Sequence, residues 1–206
     1  MVTSLQRLAL QPCSAPVIVL GLLCGALFWA CDGAGQQVTD DPPHVFATGP
    51  LVDNELWEFV APLDDPLFPA NADDVVVCDG SAAKIEQIDD TIWFDVTTTT
   101  CNYVTVRQPS LMATGPGAVL TVWIFHFKIV TEPGEYHLMV QAGDPPVTLW
   151  EDSREVPNES KLWFEEIVLA DPIDAGTPIT YHVSNHGQNT WGLVGLLVDY
   201  PEEVAE

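Results

Sequence analysis

Beyond residue 43 no stretch of this chain carries a 3.6-residue apolar period. β-Branched and aromatic residues come instead in short runs, divided by Pro, Gly, Asn and Asp, which is the pattern of an all-β protein. The clearest run covers 119–130. Its odd positions put Trp123, Phe125, Phe127 and Ile129 on one face, and its even positions put Val122, Ile124, His126 and Lys128 on the other. Three aromatic rings on the odd face mark Trp123 as a core residue. Further strands are expected over 92–96, 103–107, 135–141, 147–150, 162–169, 178–184 and 191–200, with weaker ones over 57–60, 74–78 and 83–88. Turn chemistry lies between them, at 132–134, 143–146, 174–177 and 185–189. Eight to eleven short strands at this spacing, without helices or internal repeats, imply a β-sandwich. A jelly roll is the first expectation and an immunoglobulin-like sandwich the second.

The first 30 residues read as a secretory signal: a polar start with Arg7, then an apolar run over 15–30 that is too short to cross a bilayer comfortably. The end of that run, Leu27-Phe28-Trp29-Ala30-Cys31, resembles a bacterial lipobox, in which the cysteine thiol receives a diacylglycerol. The resemblance implies lipidation at Cys31 and a membrane partner through that anchor. An uncleaved signal anchor and ordinary cleavage nearby are the alternatives. Residues 31–43, rich in Gly, Gln and Asp and closed by Pro42-Pro43, read as a tether. Residues 44–206 then form one domain, placed outside the cytoplasm at the cell envelope or secreted.

Thirty acidic residues stand against six basic ones, a net charge of −24. Such a surface repels nucleic acid phosphates, so a nucleic-acid partner is excluded. The acidity fits a solvated coat; calcium binding by loop oxygens is the sharper alternative, and no other cofactor is expected. Of the five cysteines, Cys13 and Cys24 lie in the leader and Cys31 is the lipidation candidate. Cys78 and Cys101 remain, and in an oxidising compartment they are expected to pair.

No Gly-x-Ser-x-Gly elbow surrounds any serine, so no nucleophile is nominated. The segment 181–191 is the conspicuous one. His182 and His186, joined by His126 from another strand, form a candidate metal set. On an extended strand, however, an i, i+4 spacing separates two imidazoles by roughly 13 Å. Asn185, Gln188, Asn189 and Trp191 form a candidate ligand-binding edge, with the indole stacking on a sugar and the amides bonding hydroxyls. The bland alternatives are a tight turn held by its own amides and packed aromatic rings.

Taken together, the segment 101–110, the strand around Trp123-Ile124-Phe125-His126 and the tract 185–191 resemble the β-sandwiches of secreted bacterial proteins of the galactose-binding or carbohydrate-binding-module kind. The resemblance implies a jelly roll and, by analogy alone, ligand binding. The expectation is a non-catalytic extracytoplasmic binding domain with a glycan, or another envelope protein, as partner. A metal-dependent secreted enzyme using His126, His182 and His186 and a structural envelope protein are the alternatives.

Overall fold

A computed structural model describes residues 46–185 and 187–201, with the side chains of 130–134 and 156–158 left aside. The signal, Cys31 and the tether lie outside the described residues.

Eleven strands form two antiparallel sheets. They are β1 (Gly49–Pro50), β2 (Glu58–Phe59), β3 (Ala83–Ile88), β4 (Thr91–Thr97), β5 (Tyr103–Pro109), β6 (Val119–His126), β7 (Ile129–Ala142), β8 (Val147–Asn158), β9 (Lys161–Val168), β10 (Pro178–Asn185) and β11 (Thr190–Asp199). The first sheet runs β3-β4-β11-β6-β9, with β1 added to β11; the second runs β2-β5-β10-β7-β8. The pairs β7–β8, β6–β9, β5–β10 and β4–β11 are nested, so the chain is one long hairpin folded over onto itself. That nesting is a jelly roll, which settles the choice against an immunoglobulin-like sandwich.

Most expected strands are present, with two corrections. The run 119–130 breaks after His126 and restarts at Ile129 as β7. Residues 74–78 make only an isolated bridge, Val77 to Tyr103.

The inner faces supply Phe94, Val96, Leu120, Val122, Ile124, Leu193 and Val198 from the first sheet. Val104, Val106, Leu138, Val140, Ile179, Tyr181 and Val183 come from the second, all buried. Along β6 the buried face is the even one. Trp123, Phe125 and Phe127 therefore point outward and His126 inward, the reverse of the expectation for Trp123. Both faces of this strand are apolar, so alternation alone cannot assign them. The neighbours decide: His126 lies opposite Trp191, and Ile124 opposite Leu193 and Trp163.

Polar side chains pin the edges. Across the β8/β9 side the indole Nε1 of Trp150 donates to Glu165 Oε2 at 2.6 Å, and Tyr136 donates to Asp152 at 2.7 Å. Asn54 donates to the carbonyls of Leu193 and Val194, holding the bulge in β11. Cys78 and Cys101 form the expected disulfide, 23 positions apart. Among the described residues no helix is long and apolar enough to cross a membrane.

Candidate functional site

The sequence candidates do not form the sites expected of them. Trp191 is fully buried, its ring 4.8 Å from His126 and 4.7 Å from Tyr136 by centroids, so it is a core residue and not a stacking surface. Asn185 and Asn189 are buried as well. Asn185 Nδ2 donates to Thr98 Oγ1 (2.7 Å) and to the Gly187 carbonyl (3.0 Å), and the backbone N–H of Asn189 donates to Thr98 Oγ1. These amides hold the turn, with Gly187 at positive φ. Of the set only Gln188 is exposed.

Of the metal set, His126 and His182 do not converge. His126 faces the space between the sheets, its Nδ1–H donating to the Phe127 carbonyl, and burial lowers its pKa. His182 sits on β10, where Tyr181 points inward and alternation turns His182 to the outer face of the second sheet. There its Nδ1 meets Thr105 Oγ1 at 3.0 Å and its ring lies 4.7 Å from Tyr103. Desolvation lowers its pKa to about 4, with His137 adding repulsion. His186 lies outside the described residues. Among those described, no group of three or more His, Cys, Asp or Glu side chains has metal-binding geometry.

The outer face of the first sheet is where chemistry and exposure coincide. Register builds it in two rows. One runs Glu86, Trp93, then past the bulge Gly195, Trp123 and Phe164; the next runs Lys84, Asp95, Gly192, Phe125 and Leu162. At the usual strand spacing, five strands make a surface about 19 Å wide. Phe164 is 59% exposed and Phe127 58%, while Trp93, Trp123 and Phe125 are half-buried. The rings fall in two groups on this face, Trp123–Phe164 at 4.7 Å, and Trp93–Phe125 at 5.9 Å with Phe125–Phe127 at 4.8 Å, and together they form an aromatic platform. The glycines leave room for it. A β-carbon at Gly192 would lie 2.8 Å from the Trp93 ring and 2.9 Å from Asp95 Oδ1.

At one end the platform dips into a pocket of about 150 Å³ walled by Trp93, Phe125, Phe127, Glu86, Asp95 and Thr190. Asp95 is 5% exposed. Burial, with Glu86 close enough to share a proton with it, raises its carboxyl to about 7. Lys84 bonds Glu86 at 2.7 Å and holds that carboxyl below its usual range. Asp95 Oδ1, Trp93 Nε1 and Trp123 Nε1 are buried without a hydrogen-bond partner.

Sequence reasoning missed this face because its residues come from five strands. The available signal was β6 itself, which is apolar on both faces while its neighbour β11 carries two glycines.

No family model matches the sequence, and no curated protein matches it. Among solved structures the chain is similar to a family 4 carbohydrate-binding module, at 10% identity and a TM-score of 0.40 over 73% of this chain and 94% of that one. It is also similar to a family 11 carbohydrate-binding module from Clostridium thermocellum in complex with a β-1,3-1,4-mixed-linked tetrasaccharide, at 12% identity and a TM-score of 0.37 over 76% and 98%. A family 61 module in complex with β-1,4-galactotriose aligns at 10% identity and a TM-score of 0.37 over 73% and 98%.

Proposed function

We propose that the protein is a non-catalytic binding domain held at the outside of a bacterial membrane by lipidation at Cys31, and that it lays a glycan across the aromatic face of its first sheet. The observation that carries this reading is the set of unpaired polar atoms among the rings: Trp93 Nε1, Trp123 Nε1 and Asp95 Oδ1. A buried donor or acceptor without a partner costs about 1–3 kcal/mol, and a ligand that pairs it recovers that cost. The indoles need an acceptor and the carboxylate needs a donor. A hydroxyl is both, and a sugar presents hydroxyls at the rim of a ring whose C–H face stacks on aromatics. Glu86 and Asp95 lie within reach of one shared proton. Glycoside hydrolysis needs its two carboxyls about 5–9 Å apart across the bond, so their closeness supports hydrogen bonding to ligand and not cleavage.

The test is affinity electrophoresis and pull-down against a panel of soluble and insoluble polysaccharides, with the Phe164→Ala and Trp123→Ala variants alongside. Binding to at least one glycan, weakened in both variants, is the expected outcome. A panel without any retention by the wild type sinks the reading. A structural envelope role is a second reading, supported by Val168 and Leu197, which are exposed apolar residues of the same sheet.

A further inference from the structure

The pocket at the end of the aromatic platform has a composition that a neutral sugar does not need. Its walls are three aromatic rings, Trp93, Phe125 and Phe127, and its floor carries two carboxyl groups, Glu86 and Asp95. Rings attract a cation through their negative faces, and carboxylates attract it by charge; together they form a cage for an ammonium group. We infer that this pocket binds the ammonium group of an amino sugar, so that the preferred glycan carries free glucosamine-type residues. The inference rests on the glycan reading above and names its ligand class.

Two independent observations point to a cation. First, Asp95 is almost wholly buried and its Oδ1 has no partner, so a negative charge there needs a donor that the fold does not supply. Second, Lys84, which stands opposite Asp95 in the strand register, spends its hydrogen bond on Glu86 at 2.7 Å, in an exposed position, and reaches Asp95 only through its charge. The groups around Asp95 are Glu86 and Lys84 on β3, Thr190 and Gly192 on β11, and the buried phenol of Tyr181 behind it. Lys84 acts on it through its charge alone, which lowers the carboxyl, and burial with Glu86 outweighs that and keeps it raised to about 7. An incoming ammonium takes the place of the proton that Asp95 shares with Glu86, and that proton leaves to solvent. The pocket's volume of about 150 Å³ suits a single substituent, with the sugar ring lying outside on Trp93.

The experiment is calorimetric titration of the full chain in detergent, near pH 7, with a glucosamine tetramer, its N-acetylated counterpart, a glucose tetramer and N-acetyl-lysine amide. The expected result is binding of the glucosamine tetramer about tenfold or more tighter than either neutral tetramer, the size of one charge-assisted hydrogen bond. Asp95→Asn is expected to erase that preference, read as the ratio of the glucosamine-tetramer to the glucose-tetramer affinity in the same variant. Glu86→Gln serves as a second probe of the cage, and a thermal melt of each variant checks folding. Equal affinity for the three tetramers overturns the amino-sugar inference and leaves the glycan reading standing. Absence of binding by all three overturns both. N-acetyl-lysine amide binding more tightly than the glucosamine tetramer assigns the pocket to protein lysines and overturns the sugar assignment.

Discussion

The ring of Trp93 lies against the backbone of Gly192 on the neighbouring strand, so close that a β-carbon there would meet it at 2.8 Å. This contact seats the indole on the sheet, where it forms one wall of the pocket shared with Phe125 and Asp95. Gly192→Ala must therefore displace either the ring or the Asp95 carboxylate. The expected cost is about 1–3 kcal/mol, as for other overpacking changes, with a change in tryptophan fluorescence and loss of glycan binding. Urea unfolding and the emission spectrum check it; an unchanged spectrum with full binding contradicts the seating argument.

Two aromatic rings that look alike in sequence separate by their place in the fold. Trp191 is buried between the sheets and Phe164 is 59% exposed on the outer face. Trp191→Ala is expected to cost about 3–5 kcal/mol, whereas Phe164→Ala changes stability by only about 0.5 kcal/mol and weakens ligand binding. Paired denaturant melts and pull-downs distinguish the two.

The bridge Cys78–Cys101 closes a loop over 23 positions. Chain entropy assigns it about 3 kcal/mol of stability. Reduction, or the double Cys→Ala change, is expected to lower the urea midpoint accordingly. Thiol titration of the denatured, unreduced protein should find neither sulfur free.

His182 is buried and its pKa is lowered to about 4. Because the unfolded chain binds a proton more readily, the stability this residue supplies is complete above pH ~6.5 and is lost as pH falls towards 4. The loss is on the order of 2–3 kcal/mol, and the lowered pKa of His126 adds in the same direction. His182→Gln should flatten the pH dependence of the urea midpoint between 6.5 and 4. An unaltered slope contradicts the assignment.

Asp95 runs the opposite way. Its carboxyl is raised to about 7, so the folded state holds a proton that the unfolded state releases, and stability falls as pH rises from about 4 through 7. Asp95→Asn removes that penalty and is expected to stabilise the protein at pH 8 by on the order of 2–4 kcal/mol, read as a higher melting temperature. A lower one means that the carboxylate has a partner in solution.

Local chemistry along the chain specifies most strands, the turns over 143–146 and 174–177 and one bridge, whereas the turn expected over 132–134 lies within β7. Period-two runs of Val, Ile, Thr and aromatics at 92–96, 103–107 and 178–184 became β4, β5 and β10, because extended backbone and branched side chains favour each other locally. Cys78 and Cys101 were the pair left by elimination, and they are bonded. What alternation cannot carry is its sign. On β6 both faces are apolar, and only the packing of Trp191, Leu193 and Trp163 turned His126 inward and exposed Trp123 and Phe125. The same holds for the site: Glu86, Asp95, Gly192 and Phe125 are scattered along the chain, and only the nested pairing of the jelly roll brings them side by side. Residue type and local spacing determined which segments extend; long-range strand register, set by burial of whole faces, decided which residues meet.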